Sequence, residues 1–144
     1  PAVRAVVYGI KHKRGTNEPY TCEWCENLNS ALTKLVGKNY EGKVEVDFVD
    51  VAAPGKQGRE NLARAMRAGI NMGTTPGIGF EYNAEGIPQQ VDGTRPLQTE
   101  SYVRRNSQTG ELKAVHKQLQ TLGAPTPRVK NALEAVLAEA AKYQ

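Results

Sequence analysis

YTCEWCENL, residues 20–28, contains both cysteines of the chain, Cys22 and Cys25, with two residues between them. Such a pair is a redox couple, half of a metal site or a small structural staple, and its surroundings decide among these. From Trp24 to Val36 the apolar residues Trp24, Leu28, Ala31, Leu32 and Leu35 recur at spacings of three and four. That pattern predicts an amphipathic helix opening near Thr21 or Cys22 and stopping at Gly37. The pair therefore opens a helix. A cysteine placed there lies beside free backbone N–H groups and the positive end of the helix dipole, which favour thiolate over thiol. A second cysteine three residues later lies one turn along, within disulfide reach. On this reading Cys22 is the more exposed, attacking sulfur and Cys25 the resolving one.

Outward from the pair, VRAVVYGI (3–10) reads as a strand buried on both faces, followed by the polar loop KHKRGTNEPYT. KVEVDFVDV (43–51) alternates as a second strand. RENLARAMRAGI (59–70) reads as a helix with Leu62, Ala65, Met66 and Ile70 inward, and Met72 is also expected in the core. GIGFEY and IPQQV bracket the turn-forming NAEG, which predicts a β-hairpin. For residues 93–123 two readings compete. Leu112, Val115, Leu119 and Leu122 make a helical stripe, whereas SYVRRNSQTGELKAV would serve as a hairpin turning at NSQTG; the helix from about Glu111 is preferred. After the break APTP, Thr126 is placed as an N-cap and Pro127 at the first helical position. RVKNALEAVLAEAAKY is then a terminal helix with Val129, Leu133, Val136, Leu137 and Ala140 on one face.

The chain of 144 residues is long enough for a real core, and its net charge of +4 is mild. A dedicated nucleic-acid binder would show a denser basic stripe interleaved with aromatics, so a nucleic-acid partner is not expected. No apolar run approaches the ~20 residues needed to span a bilayer, and PAVRAVVYGI does not read as a signal peptide. A cytoplasmic location is expected, unless a leader was removed. A closed zinc site needs four ligands, and only His12 and His116 could join the two cysteines, so no metal is expected. Lys11, Lys13 and Arg14 are read first as a solvated loop; the alternative is attraction of an anionic substrate or support of a Cys22 thiolate.

The order of strand, loop, C-x-x-C helix, strand, helix, then Thr-Thr-Pro before a hairpin resembles the thioredoxin fold. That resemblance implies an α/β architecture with a central mixed sheet and an additional C-terminal helix. The resemblance covers residues 3 to about 96; the chain is expected to form a domain over 1–123 with a helical extension over 124–144, packed on the domain or on a partner. It implies a cis-proline at Pro76 facing the cysteines, with Thr75 pairing an extended substrate. TTP is nearer the glutaredoxin branch, and VDGTRP (91–96) is similar to its Gly-containing turn, so Asp92 and Gly93 join Thr75, Pro76, Trp24 and Lys11 as candidate substrate-binding residues. The implied activity is thiol–disulfide exchange on protein or small-molecule disulfides. No tightly bound cofactor is implied; glutathione as co-substrate or a thioredoxin reductase would supply electrons. The pair encloses Glu23 and Trp24 where thioredoxins carry Gly-Pro and glutaredoxins Pro-Tyr, and Glu23 works against the thiolate. The competing reading is a non-catalytic scaffold whose pair is a structural disulfide and whose residues 97–144 bind an assembly partner.

Overall fold

Residues 3–71, 75–84, 87–91, 95–121 and 123–143 are described in the computed structural model. The β-branched run at the start forms strand β1, Val3–Gly9. It pairs in parallel with β2, Val44–Asp50, so that Val3 lies beside Val44 and Gly9 beside Asp50. Between them runs helix α1, Glu23–Asn39, which passes through Gly37 rather than ending there. Helix α2, Gly55–Arg67, follows β2. The expected hairpin is present as β3, Gly77–Ala84, and β4, Ile87–Gln90, with β3 antiparallel to β1. The strand order is β2-β1-β3-β4, and the short β5, Leu97–Gln98, pairs with the start of β3. This is a mixed sheet in an α/β fold.

Alternation along β1 sends its side chains to opposite faces of the sheet. Val3, Ala5 and Val7 join Leu28, Leu32, Leu35 and Val36 of α1 in the larger core, with Ile78 and Phe80 from β3. Helix α3, Pro127–Ala140, completes that core through Val129, Leu133, Val136 and Ala140, the face expected from its sequence. Tyr40 ties α1 to α3 by donating its hydroxyl to Glu134 Oε1 at 2.6 Å, and this bond raises the phenol's pKa. Thr126 occupies the N-cap position of α3, but its hydroxyl makes no capping bond.

On the other face, Val6, Tyr8, Val49, Val51, Ala65, Ala68 and Ile70 form a smaller core under α2. Here two expectations fail. Met66 is 66% exposed and Leu62 also lies at the surface, so neither packs inward. The inward side of α2 is instead marked by Ala65 and Arg64. Arg64 bonds both carboxylate oxygens of the buried Glu81, at 2.6 and 3.1 Å, and reaches Asp47 at 3.3 Å. A charged clamp thus holds α2 where aliphatic packing was expected. Met72 lies outside the described residues.

The preferred helix over 111–122 is not formed. Glu100–Arg105 is strand β6 and Leu112–Lys117 is strand β7, antiparallel with Arg105 opposite Leu112. Turn chemistry overrides the helical spacing. Asn106 accepts from the backbone of Gln108 and Thr109 through Oδ1, its N–H donates to Glu111 O, and Gly110 takes a φ of +72°. Leu112 is exposed on β7, whereas Leu119 is buried in the main core, so these two members of the apparent stripe do not share a helix face; Leu122 lies outside the described residues. Two short strands, β8 (Gln120–Thr121) and β9 (Ala124–Pro125), pair with each other and pack against α1 before α3 begins.

Candidate functional site

Cys22 is the N-cap of α1, in an extended backbone conformation, and its Sγ accepts the N–H of Cys25 at 3.2 Å. Glu23 and Glu26 lie in the first turn, and Lys38 in the last, complementing the helix dipole at both ends. Cys22 and Cys25 are joined in a disulfide with their Cα atoms 5.2 Å apart. Of the two, Cys22 is partly exposed and Cys25 is buried at 1%. The asymmetry follows from the helix: Cys22 sits at its open end, while Cys25 lies on the inward stripe with Leu28 and Leu32.

Pro76 begins the segment leading into β3 and is buried, and the Thr75–Pro76 bond is cis. Trp24 and Leu28 of α1 line a small cleft with Pro76, and Thr99, Gln118, Leu119 and Gln120 close its other side. Trp24 is 48% exposed and Tyr20, just before the pair, 46% exposed. The C-x-x-C turn thus carries one exposed aromatic residue within it, Trp24, and another just before it, Tyr20. Trp24 and Pro76 are brought together; Thr75 adjoins Pro76 along the chain and is partly buried. Asp92 and Gly93 lie outside the described residues.

Lys11 is placed differently from Trp24. Its Nζ stands 4.4 Å from the centre of the Phe48 ring, a cation–π contact, and its N–H donates to Asp50 Oδ1 at 3.0 Å. Phe48 and Cys25 both approach Gly9. A Cβ built on Gly9 would meet Phe48 Cζ at 2.8 Å and Cys25 Sγ at 2.9 Å. Gly9 was not singled out in the sequence, although a glycine ending a buried strand just before the C-x-x-C loop is a signal of close approach.

The loop 11–20 is ordered by its own bonds. His12 and Pro19 form an antiparallel bridge, Tyr20 N donates to Lys11 O, and Lys13 pairs with Glu18 at 3.0 Å. Its base is held by Asp50. Oδ1 accepts from Lys11 N and Ala52 N, Oδ2 meets His12 Nδ1 at 2.6 Å, and the backbone carbonyl accepts from Asn61. His12 is thus engaged with a carboxylate and His116 with Ser101 on the β6–β7 ribbon. Among the described residues no group of three His, Cys, Asp or Glu side chains is arranged to hold a metal ion. No helix among them is long and apolar enough to cross a membrane.

Fold and site together define a mixed α/β protein with a C-x-x-C disulfide at a helix N-terminus, compatible with either redox or structural use. The sequence matches no family model, no curated protein and no solved structure.

Proposed function

We propose that the chain is a thiol–disulfide oxidoreductase of the thioredoxin type, nearer glutaredoxin than thioredoxin. The observation that carries this reading is the graded burial of the Cys22–Cys25 pair at the start of α1, with Cys22 partly exposed and Cys25 buried. The strand order β2-β1-β3-β4 and the position of Pro76 beside Trp24 support it.

In the reaction the reduced Cys22 thiolate attacks one sulfur of a substrate disulfide, and the other substrate sulfur leaves as a thiolate. Cys25, deprotonated in turn, attacks Cys22 Sγ, forms the intramolecular disulfide and releases the second substrate thiolate. Two electrons pass to the substrate, and an external thiol such as glutathione, or a reductase, returns them. Backbone N–H groups at the N-terminus of α1 stabilise the attacking thiolate. Trp24 and Pro76 shape the surface on which the substrate rests, with Thr75 offering backbone pairing and Lys11 positive charge. Asp92 and Gly93 are proposed to take part in substrate binding.

Trapping tests the order of events. Cys25→Ser should accumulate mixed disulfides with substrate through Cys22, and Cys22→Ser should accumulate none. If neither variant traps and the parent reduces no disulfide, the pair is a structural staple on a non-catalytic scaffold.

A further inference from the structure

The β6–β7 ribbon is exposed along nearly its whole length. All six residues of β6 are exposed, as are all of β7 except Val115. Cross-strand partners share a face, so the register places Glu100, Tyr102 and Arg104 with Lys117, Val115 and Lys113 on one side. Tyr102 therefore stands among three cations, and Lys117 Nζ lies 5.7 Å from its ring centre. Arg105, also near the tip, lies on the opposite side of the ribbon beside Leu112.

On this face Glu100 stands opposite Lys117, but the cation it pairs with is Arg128. None of Arg104, Arg105, Lys113 and Lys117 pairs with a carboxylate among the described residues. Arg104 and Lys113 are moreover directly opposite each other, a like-charge cross-strand pair that opposes ribbon formation. A polyanion lying along this face removes that repulsion. The basic stripe interleaved with an aromatic, absent from the linear sequence, is assembled by strand pairing.

We propose that the β6–β7 ribbon binds duplex DNA by entering the major groove. Six residues per strand at about 3.4 Å each give a ribbon roughly 20 Å long, and a groove about 12 Å wide admits two paired strands. The paired cations face phosphate oxygens, and the tip, where Arg104, Arg105, Ser107, Gln108 and Lys113 surround a concave surface together with the single carboxylate of Glu111, carries amide and hydroxyl groups suited to base edges. Arg128 links the base of the ribbon to α3, donating to Gln98 O at 3.1 Å and to Glu100 at 3.2 Å. This surface is separate from the dithiol and does not rest on the redox reading.

The test is fluorescence anisotropy of a labelled mixed-sequence DNA duplex with the full chain across a salt series. Log affinity should fall linearly with log salt, with a slope of roughly −3, as for a few neutralised phosphates. The triple change Arg104→Gln, Lys113→Gln, Lys117→Gln should weaken binding at least about tenfold and flatten the slope, with a melting temperature that is not lowered, because these side chains are exposed and the Arg104–Lys113 repulsion is removed. Cys22→Ser with Cys25→Ser should leave DNA affinity intact. Absence of binding, equal binding by the triple variant, or tighter binding to the single strand, to duplex RNA or to anionic vesicles would overturn the proposal. So would a dimer in sedimentation that Val103→Ser dissolves and that excludes DNA.

Discussion

Gly9 and Cys25 meet so closely that a methyl group on Gly9 would stand 2.9 Å from the Cys25 sulfur. The end of β1 is thus the wall against which the buried half of the disulfide packs, with Phe48 on the same side. Gly9→Ala should lower stability by about 1–3 kcal/mol through overpacking. Chemical denaturation of the oxidised protein checks this, and an unchanged midpoint would mean that Phe48 and Cys25 yield freely.

The two thiols should be chemically unequal after reduction. Cys22 is expected to react with iodoacetamide well before Cys25, with an apparent pKa below the free-thiol value of about 8.5. The pH profile of alkylation, read site by site by mass spectrometry, measures both. Equal and slow labelling would speak for the staple.

Tyr8 offers a test on the other face of the sheet. Its hydroxyl is buried and has no hydrogen-bond partner among the described residues, and burial followed by the Glu81 charge pushes its pKa well above the usual 10.0. Asp47 acts in the same direction, while Arg64 and Arg67 oppose. The unfolded phenol ionises near its ordinary value while the folded one stays protonated. The contribution to stability is therefore full below about pH 10 and is lost as pH rises beyond it. Tyr8→Phe should flatten this alkaline loss and, by removing an unsatisfied hydroxyl, be neutral or stabilising by about 1 kcal/mol at neutral pH. A large destabilisation at neutral pH would show that the hydroxyl has a partner.

Helix α3 should behave as core rather than as an appendage. Leu133 is fully buried, so Leu133→Ala should cost about 2–5 kcal/mol. Tyr40→Phe, which removes only the bond to Glu134, should cost about 1 kcal/mol. Urea titration of both variants gives the comparison. If Leu133→Ala leaves stability unchanged, α3 does not hold this core together.

Much of the main sheet and α1 was legible because one periodicity dominated each segment. β1 is continuous and β-branched, and the α1 stripe from Leu28 to Leu35 has no rival pattern. Around α2 the signal misled: Leu62 and Met66 look like core residues by type, yet Arg64 makes the tertiary connection, through Glu81 on a strand 17 residues away in sequence. Between residues 100 and 117 both periods were present. The hairpin prevailed through Asn106 and Gly110, whose turn bonds a count of apolar spacings does not weigh. At the candidate site, Cys22, Cys25 and Pro76 were readable from motif and order. Gly9 and Phe48 were not, because their relation to Cys25 arises only when β1, β2 and α1 are superposed.

Asp50 gives the region around the dithiol an unusual economy of attachment. One carboxylate fastens the outgoing end of β1, at Lys11 and His12, and the chain leading into α2, at Ala52, while its carbonyl receives Asn61 from within that helix. The approach to Cys22 and the helix on the opposite face of the sheet are therefore hung from the same peg. Loss of the Asp50 carboxylate would loosen both sides of the sheet at once, since the Lys11–His12 segment and the chain leading into α2 share that one side chain.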